Sequence, residues 1–273
     1  ARTAAATDTL ADVEPDDGSE HPALKHARFE STVETITGIC DTVSDARRDL
    51  EAGISELRGA ADARGVGLLC SGTHPFSSYR DLQVSPSARY QKLLDEMQWP
   101  VRRLAIYGIH YHVGVRSAEK CVATVNSLTT YLPVFLALSA SSPFWHGYDT
   151  GLASARTKIF EGLPTAGLPP RLTSWVDFEA FLDALIRAEA IESVREVWWD
   201  VRPHPDFGTV ELRMCDGMPT MTEICGVASL AQCLVAADQR RGRKTHEPER
   251  VGDAPDLVQL DHRLVDGDIE PPL

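Results

Sequence analysis

The feature that most constrains the fold is a pair of short strands separated by a single tight turn. Residues Val197–Arg202 and Gly208–Met214 both have the composition of strands, and only the five residues PHPDF lie between them. A connection this short joins antiparallel neighbours, because parallel strands need a crossover of a dozen or more residues. The other strands are mixed with helices, so the pattern favours an α+β fold over a parallel α/β fold.

The rest of the chain has apolar periodicity typical of helices and strands in mixed order. The first predicted helix has Asp41 and Ser44 as candidate caps. Pro143–Pro170 is rich in Gly, Pro, Ser and Thr and is expected to be a long ordered loop with a short helix. The predicted helices are Cys40–Arg64, Ser85–Gln98, Asn126–Ser141, Val176–Ala188 and Thr220–Ala237, and the further strands are Glu30–Gly38, Val66–Ser71 and Leu104–Val115.

Two segments lack the pattern of packed structure. Residues 1–22 are polar and acidic, which predicts a loop or a frayed end. Residues 239–260 mix Arg, Lys, Glu and Pro with few apolar side chains, which predicts a mobile loop. The length of 273 residues allows one large domain or two small ones, and we expect a single domain over 1–273.

The charge balance excludes one class of function. Lys and Arg number 27 and Asp and Glu number 40, so the net charge is −13, whereas nucleic-acid binding needs a basic face. No apolar run reaches the roughly 18 residues that span a bilayer, and residues 1–15 lack the apolar stretch expected of a signal peptide. The six cysteines form no CxxC pair. We therefore expect reduced thiols, a cytoplasmic location, and neither nucleic-acid nor membrane partners.

The strand Tyr107–Val115 carries two histidines on one face. His110 and His112 are two residues apart, so they point the same way, together with Gly108 and Gly114. Imidazoles beside glycines suggest a surface that a ligand or a metal ion approaches closely. The alternative is a pair of hydrogen-bonded histidines packed under a helix.

Charged residues on three other strands suggest the same kind of site. Glu211 and Arg213 share one face of the second hairpin strand, where a carboxylate for a metal or an amine would lie beside a phosphate clamp. Asp200 and Arg202 share a face of the first hairpin strand and could lie near that pair. Glu34 is a lone carboxylate in a β-branched strand. The alternatives are solvent-facing ion pairs and an exposed strand carboxylate.

The loop Asp149–Lys158 contains Gly and Ser and two cations, Arg156 and Lys158, and could bind phosphate. It is not a P-loop, because no GxxxxGK[ST] occurs, and no GxGxxG opens a βαβ unit. No GxSxG occurs either, so nucleophilic catalysis has no support in the sequence. The alternative is an ordinary surface loop.

Taken together, these segments resemble one family, the carboxylate–amine ligases of the glutamate–cysteine ligase type 2 group. The resemblance extends over roughly residues 25–237 and rests on long motifs in a fixed order. They are GTHPF (72–76), QW (98–99), GIHYHVGV (108–115), LSASSPFW (138–145), DTGLAS (149–154), LPTAGLP (163–169), WDVRPHP (199–205) and GTVELRMCDG (208–217).

The resemblance implies a glutamine-synthetase-like catalytic domain, with a curved and mainly antiparallel sheet and helices packed on its outer face. It also implies ATP-dependent joining of a carboxylate, typically glutamate, to an amine, typically that of cysteine, through an acyl phosphate. ATP and Mg²⁺ or Mn²⁺ are the implied cofactors. Many relatives with this pattern have weak cysteine ligase activity, so the amine and the carboxylate both stay open.

The roles of single residues also follow from the resemblance. The family's metal ligands match Glu34, His112 and Glu211, and the expected catalytic residues are Arg213 and Glu211. Relatives are often dimers or larger, so a homo-oligomer is expected. The positions expected to bind the nucleotide are His110, His112, Arg156 and Arg213.

Two elements of the family pattern are not found in the chain. One is an early strand with a Gly-Val-Glu-Glu-Glu-type motif before Glu30, and the other is an Asn-Lys-Trp-Arg-Ala-like segment after Pro271. Either these elements lie outside this sequence, or the protein lacks them. In the second case, the alternative function is a catalytically impaired nucleotide- or metal-binding protein on the same scaffold. Outside the family, the alternative is a metal-dependent hydrolase built on His110, His112 and Glu211.

Overall fold

The protein's computed structural model describes residues 4–15, 17, 19–241 and 258–267. Its main element is an antiparallel sheet in the order β1-β2-β9-β4-β8-β7, with β3 paired to β9. Helices and antiparallel strands in mixed order confirm the predicted α+β class. The strands are β1 Leu24–His26, β2 Thr32–Ile36, β3 Gly67–Leu69, β4 Gly108–Gly114, β5 Phe144–Trp145, β6 Tyr148–Asp149, β7 Val201–His204, β8 Thr209–Asp216 and β9 Val258–Gly267.

The helices precede or connect the strands along the chain. They are α1 Ala6–Ala11, α2 Val43–Ala63, α3 Ala88–Met97, α4 Trp99–Arg102, α5 Ala118–Leu128, α6 Leu132–Ser139, α7 Ala155–Phe160, α8 Trp175–Arg187 and α9 Met221–Arg241. The predicted helix Asn126–Ser141 is interrupted, because α5 ends in a short 3₁₀ turn and Pro133 lies in the first turn of α6.

Helix α2 begins at a capping box that the sequence analysis placed one or two residues away. The cap is Thr42 and not Asp41 or Ser44, because the Thr42 hydroxyl accepts from the Asp45 amide at 3.2 Å. The Asp45 carboxylate accepts in return from the Thr42 amide at 3.0 Å. These reciprocal bonds satisfy two amides that the helix leaves unpaired. The helix is followed by Gly65, whose positive φ of 67° suits a residue without a side chain.

The predicted hairpin is confirmed. Strands β7 and β8 pair antiparallel with Arg202 opposite Glu211, and Gly208 closes the turn with a φ of 63°. The other edge of β8 pairs with β4, which places His112 opposite Glu211. Three neighbouring strands therefore bring polar side chains to one part of the sheet.

The core lies on one face of this sheet, where α2, α5, α6 and α9 cover it. Because side chains alternate along a strand, the polar residues between the core positions face the other way. The core residues of β4 and β8 are Ile109, Tyr111, Val113, Val210, Leu212 and Met214.

Two predicted loop segments differ from the structure. Residues 1–22 include helix α1, whose Ala6 and Leu10 are buried against α2 and β1 because they supply the apolar face that the acidic composition obscured. Both ends of the predicted loop 239–260 are regular structure, since 239–241 continue α9 and 258–260 begin β9. Residues 242–257 of that predicted loop lie outside the described residues.

Two helical stretches, Ala118–Ser139 and Met221–Arg240, are long and apolar enough to span a membrane by length and composition alone. The sequence analysis did not predict this, since it searched for uninterrupted apolar runs. Both stretches contribute residues to the core, among them Phe135 and Ala228. Helices buried in the core of a folded domain meet the same criterion.

The position of Leu212 on the core face of β8 makes a stability prediction. Leu212 is 1% exposed, so Leu212→Ala should lower the free energy of unfolding by about 2–5 kcal/mol through lost burial and a cavity. The measurement is chemical denaturation followed by circular dichroism. The matched control is Leu168→Ala at a residue 66% exposed, which should stay within about 0.5 kcal/mol. Equal effects at both positions would contradict this placement of β8.

Candidate active site

A cavity of about 1060 Å³ opens beside the sheet, and the six residues to which the resemblance assigned a role line it. The expected convergence of Glu34, His112 and Glu211 on one cavity is thereby confirmed. The roles of the individual residues stay predictions. The six residues to which the resemblance assigned a role are Glu34, His110, His112, Arg156, Glu211 and Arg213.

Glu211 is the centre of the cavity's charged cluster. It is 2% exposed, and its Oε2 accepts from Arg202 Nε at 2.6 Å while its Oε1 accepts from Arg213 Nη1. Burial alone would raise the pKa of Glu211, but Arg213 and Arg202 outweigh burial and hold that pKa well below its usual range. The carboxylate is therefore ionised and fully engaged by two guanidinium groups.

The two strand histidines approach the same carboxylate. His110 Nδ1 lies 3.5 Å and His112 Nε2 lies 3.7 Å from Glu211 Oε1. His112 Nδ1 forms a hydrogen bond of 3.1 Å with the Thr209 hydroxyl. Burial lowers the pKa of His112 to about 4 in spite of the neighbouring Glu211. His112 is consequently a neutral imidazole at physiological pH.

Arg202 is a central residue of the charged cluster. The sequence analysis predicted only that it could lie near Glu211 and Arg213. Besides Glu211, it donates from Nη1 to the Val194 and Val197 carbonyls at 2.6 and 2.7 Å. Burial, aided by Arg213, lowers the pKa of Arg202 to about 10, so it keeps its charge at neutral pH. The signal in the sequence was the alternation of side chains along β7. In the structure, the register of β7 and β8 puts Arg202 opposite Glu211.

His204 is a lining residue that sequence reasoning missed. Its ring stacks on Phe207 at 4.3 Å between centroids and meets His112 edge to face at 5.4 Å. It follows Arg202 by two residues on β7, so the same alternation could have indicated it. Asp200, expected to share that face, is not among the residues that line the cavity.

Arg156 enters the cavity from helix α7. It is 3% exposed, and its two terminal nitrogens donate to the carbonyls of Met214 and Arg213 at 2.9 and 3.0 Å. Lys158 pairs instead with Glu161 at the surface, at 2.9 Å. Of the two cations of the predicted phosphate loop, the one that reaches the cavity is therefore Arg156.

Glu34 lies at the other side of the cavity, on β2. It is half-buried, and in the sheet it is opposite Lys25 of β1 and Arg263 of β9. It therefore belongs to the same cavity as the Glu211 cluster but is contributed by a different part of the sheet.

A divalent metal ion does not fit the described side chains as they lie. In the part of the chain that the structure describes, no three His, Cys, Asp or Glu side chains converge as a metal site requires. Both oxygens of Glu211 are occupied by guanidinium groups, which compete with a cation for the same carboxylate. The metal-binding role expected for Glu34, His112 and Glu211 stays a prediction, and no chemical step below depends on it.

Some buried polar atoms of residues that line the cavity have no hydrogen-bond partner among the described residues. Two of them are Arg213 Nε and His204 Nδ1, and both residues line the cavity. A buried polar group left unpaired costs about 1–3 kcal/mol. A ligand that supplies their partners would remove this cost, so the cluster is complementary to a polar ligand.

Part of the cavity lining is apolar. Phe160 and Trp198 belong to a hydrophobic cluster that continues behind this lining. Three guanidinium groups and apolar side chains in one cavity suit a ligand that combines anionic groups with an apolar part. The apolar lining includes Leu104, Ile106, Phe160, Leu163 and Trp198.

Comparisons with known proteins identify a family. A family model described as glutamate-cysteine ligase family 2 (GCS2) matches residues 4–258. A protein of Frankia alni named "Putative glutamate--cysteine ligase 2-1" is 59% identical over 216 residues, which cover 79% of this chain and 56% of the relative. Proteins named "Putative glutamate--cysteine ligase 2" are 54% identical in Thermobifida fusca and 44% identical in Gloeobacter violaceus. These matches cover 79% and 81% of this chain and 54% and 60% of the relatives. The chain thus spans little more than half the length of these relatives.

The buried neutral His112 makes a prediction about pH and stability. Its pKa of about 4 lies below the ordinary value of 6.5, so the unfolded chain binds more protons between these pH values. The stability contributed by the neutral ring is present above pH 6.5 and is lost as the pH falls towards 4. Both proteins are compared at pH 7 and pH 5. Over this interval the free energy of unfolding should fall by about 1–2 kcal/mol more in the unmodified protein than in His112→Gln.

The measurement is urea denaturation at the two pH values. The matched control is His26→Gln at an exposed histidine, which should retain the pH dependence of the unmodified protein. If His112→Gln retains it as well, the ring is not held neutral by burial.

Proposed function

The chain belongs to glutamate–cysteine ligase family 2, and we propose that it joins a carboxylate to an amine at the expense of ATP. Glutamate is the first carboxylate to consider, and cysteine the first amine, since the relatives' names point to them. The observation that carries the proposal is the convergence of Arg156, Arg202 and Arg213 on one cavity. The reaction brings several anionic oxygens together, and guanidinium groups bind such oxygens in pairs.

The proposed reaction has two steps, because a carboxylate by itself has no good leaving group. In the first step a carboxylate oxygen attacks the γ-phosphorus of ATP, the bond to the bridging oxygen breaks, and ADP leaves. In the second step the amine nitrogen attacks the acyl carbon, the bond to the phosphate oxygen breaks, and phosphate leaves. The nitrogen loses one proton, so the products are an amide, ADP and phosphate.

Arg213 is the residue we assign to the transferred phosphoryl group. One of its nitrogens is held by Glu211, whereas its buried Nε has no partner among the residues described. A guanidinium held in place at one nitrogen is pre-organised to bind charge that moves during phosphoryl transfer. Glu211 takes part by holding both Arg202 and Arg213 in place.

His110 and His112 are assigned to the neighbourhood of the phosphates. His112 is neutral and its Nδ1 is oriented by Thr209, so it binds anionic oxygen through an N–H group and adds no further positive charge. The apolar lining with Phe160 and Trp198 suits the base of the nucleotide or an apolar part of the amine substrate.

The proposal extends to the type of fold and to the compartment. An antiparallel sheet with helices on one face and a charged cavity on the other supports the glutamine-synthetase-like type. All six cysteines are free thiols, which supports the cytoplasm, where ATP is available and thiols stay reduced.

The second candidate is a nucleotide-binding protein with impaired catalysis on the same scaffold. It is favoured by one observation, the occupation of both Glu211 oxygens by guanidinium groups in place of an open metal site. In that case the cavity would bind ATP without consuming it.

One experiment separates the two candidates. ADP release is measured with ATP, Mg²⁺ and glutamate against a panel of amines that includes cysteine, and ATP binding is measured in parallel by calorimetry. ADP release that requires both glutamate and an amine supports the ligase. ATP binding without ADP release supports the impaired protein. ADP release without any amine, or no binding of ATP, contradicts both.

The role of Arg213 makes a kinetic prediction. Arg213→Lys keeps the charge but loses the planar fork, so it should lower kcat more than it raises the KM for ATP. The expected loss is about 2–4 kcal/mol of transition-state stabilisation, as for removal of one pre-organised donor. Steady-state ADP release is the measurement.

Circular dichroism controls for folding, and Arg171→Lys at an exposed arginine is the matched control with unchanged kinetics. An unchanged kcat with a raised KM would assign Arg213 to ground-state binding. Unchanged values of both would remove it from the site.

A further inference from the structure

Behind the cavity, the carboxylate of Asp216 closes a buried network that the proposed reaction does not use directly. Asp216 is the last residue of β8 and is fully buried. Its Oδ2 accepts from the Ser142 hydroxyl at 2.6 Å and from the Ser141 amide at 3.0 Å. Its Oδ1 accepts from the Ser154 hydroxyl at 2.9 Å. One carboxylate therefore binds both ends of the segment 141–154.

The hydroxyls of Ser142 and Ser154 also accept hydrogen bonds from backbone amides of helix α7. The Ser142 hydroxyl accepts from the backbone amide of Arg156 at 3.2 Å. The Ser154 hydroxyl is the N-cap of α7 and accepts from the Thr157 amide at 3.3 Å. Because Asp216 can only accept, each hydroxyl must donate to it and keeps its lone pairs for the helix.

The same strand then receives the Arg156 side chain. The guanidinium donates to the carbonyls of Met214 and Arg213, and its Nη1 lies 3.9 Å from Asp216 Oδ1. Arg156 is thus fixed at its backbone amide by Ser142 and at its terminal nitrogens by two consecutive residues of β8. Its position relative to Arg213, three residues before Asp216, is set by this one strand.

Two glycines leave room for the network. A Cβ atom at Gly72 would lie 2.5 Å from the Asp216 carboxylate and 2.8 Å from the Ser142 hydroxyl. A Cβ atom at Gly108 would lie 2.2 Å from Arg156 Nη2. Both distances are shorter than real carbon contacts, so the glycines of the GTHPF and GIHYHVGV motifs fit the space that Asp216 and Arg156 need.

We propose that Asp216 is a positioning residue that fixes Arg156 in the cavity wall through Ser142 and Ser154. It does not touch the cavity itself. Its effect on catalysis rests on the proposed function, whereas its effect on the Arg156 side chain does not.

The test uses Asp216→Asn, which keeps the shape and replaces one acceptor oxygen by a donor. All the partners of the carboxylate are donors, so at least one of them would face the new amino group. The matched control is Ser139→Ala. Ser139 is also buried, and its hydroxyl accepts from the Asp216 backbone amide at 3.3 Å. It is not one of the two serines that connect the Asp216 carboxylate to helix α7.

The first readout is the arginine Nε–Hε spectrum of the ¹⁵N-labelled protein, in which the Arg156 signal is identified by its loss in Arg156→Lys. Asp216→Asn should shift or broaden this signal, and Ser139→Ala should leave it unchanged. If both variants leave it unchanged, or both change it equally, the proposal is wrong. This readout holds whether or not the protein is a ligase.

The second readout is kcat/KM for ADP release. Introduced into the unmodified protein, Asp216→Asn should lower kcat/KM about tenfold. Introduced into Arg156→Lys, it should lower kcat/KM less than about twofold, because the effects of two residues that act through one another are not additive. Equal losses in both backgrounds would show a merely structural role and overturn the proposal.

Should Asp216→Asn not fold, Ser154→Ala and Ser154→Thr replace it. The first removes the hydroxyl between Asp216 and α7, and the second retains it. The proposal is supported if the Arg156 signal moves in Ser154→Ala and keeps its original position in Ser154→Thr. The same spectrum in both variants contradicts it.

Discussion

One buried carboxylate between two guanidinium groups is the interaction on which the cavity depends. Glu211 is almost fully buried and binds Arg202 and Arg213 at once. Burying such charges is costly, and removal of one partner leaves the others uncompensated. The sheet offsets this cost by additional hydrogen bonds, since Arg202 also donates to two backbone carbonyls. The arrangement of all three side chains is therefore determined together.

The charge of this cluster explains how an acidic protein offers an anion site. The whole chain carries −13, but the cluster combines one carboxylate with two guanidinium groups, and Arg156 adds a third. His112 contributes no charge, because burial lowers its pKa to about 4. The local balance is positive, and the low-dielectric surroundings strengthen its attraction for phosphate and carboxylate groups.

Strand β8 connects stability with the proposed chemistry. Its Leu212 and Met214 lie in the core, its Glu211 and Arg213 line the cavity, and its end residue Asp216 holds the segment that carries Arg156. A strand that is buried on both faces is held in one register. The positions of the cationic groups relative to one another therefore follow from the packing of the core.

Local rules of the sequence determined much of this arrangement. Strand alternation placed His110 with His112 and Glu211 with Arg213, the short connection predicted the hairpin, and the ordered motifs indicated the family. These predictions succeed because a period of two residues and a tight turn are properties of neighbouring residues.

Only the tertiary structure decided which of these faces meet. Ser142 and Asp216 are 74 residues apart, and the sheet and the loop after α6 bring them together. The engagement of Glu211 by Arg202 likewise depends on the register of two strands, and the burial of α1 depends on α2. Such contacts form because apolar surface is buried over the whole domain, and no pattern within a short window of sequence contains that balance.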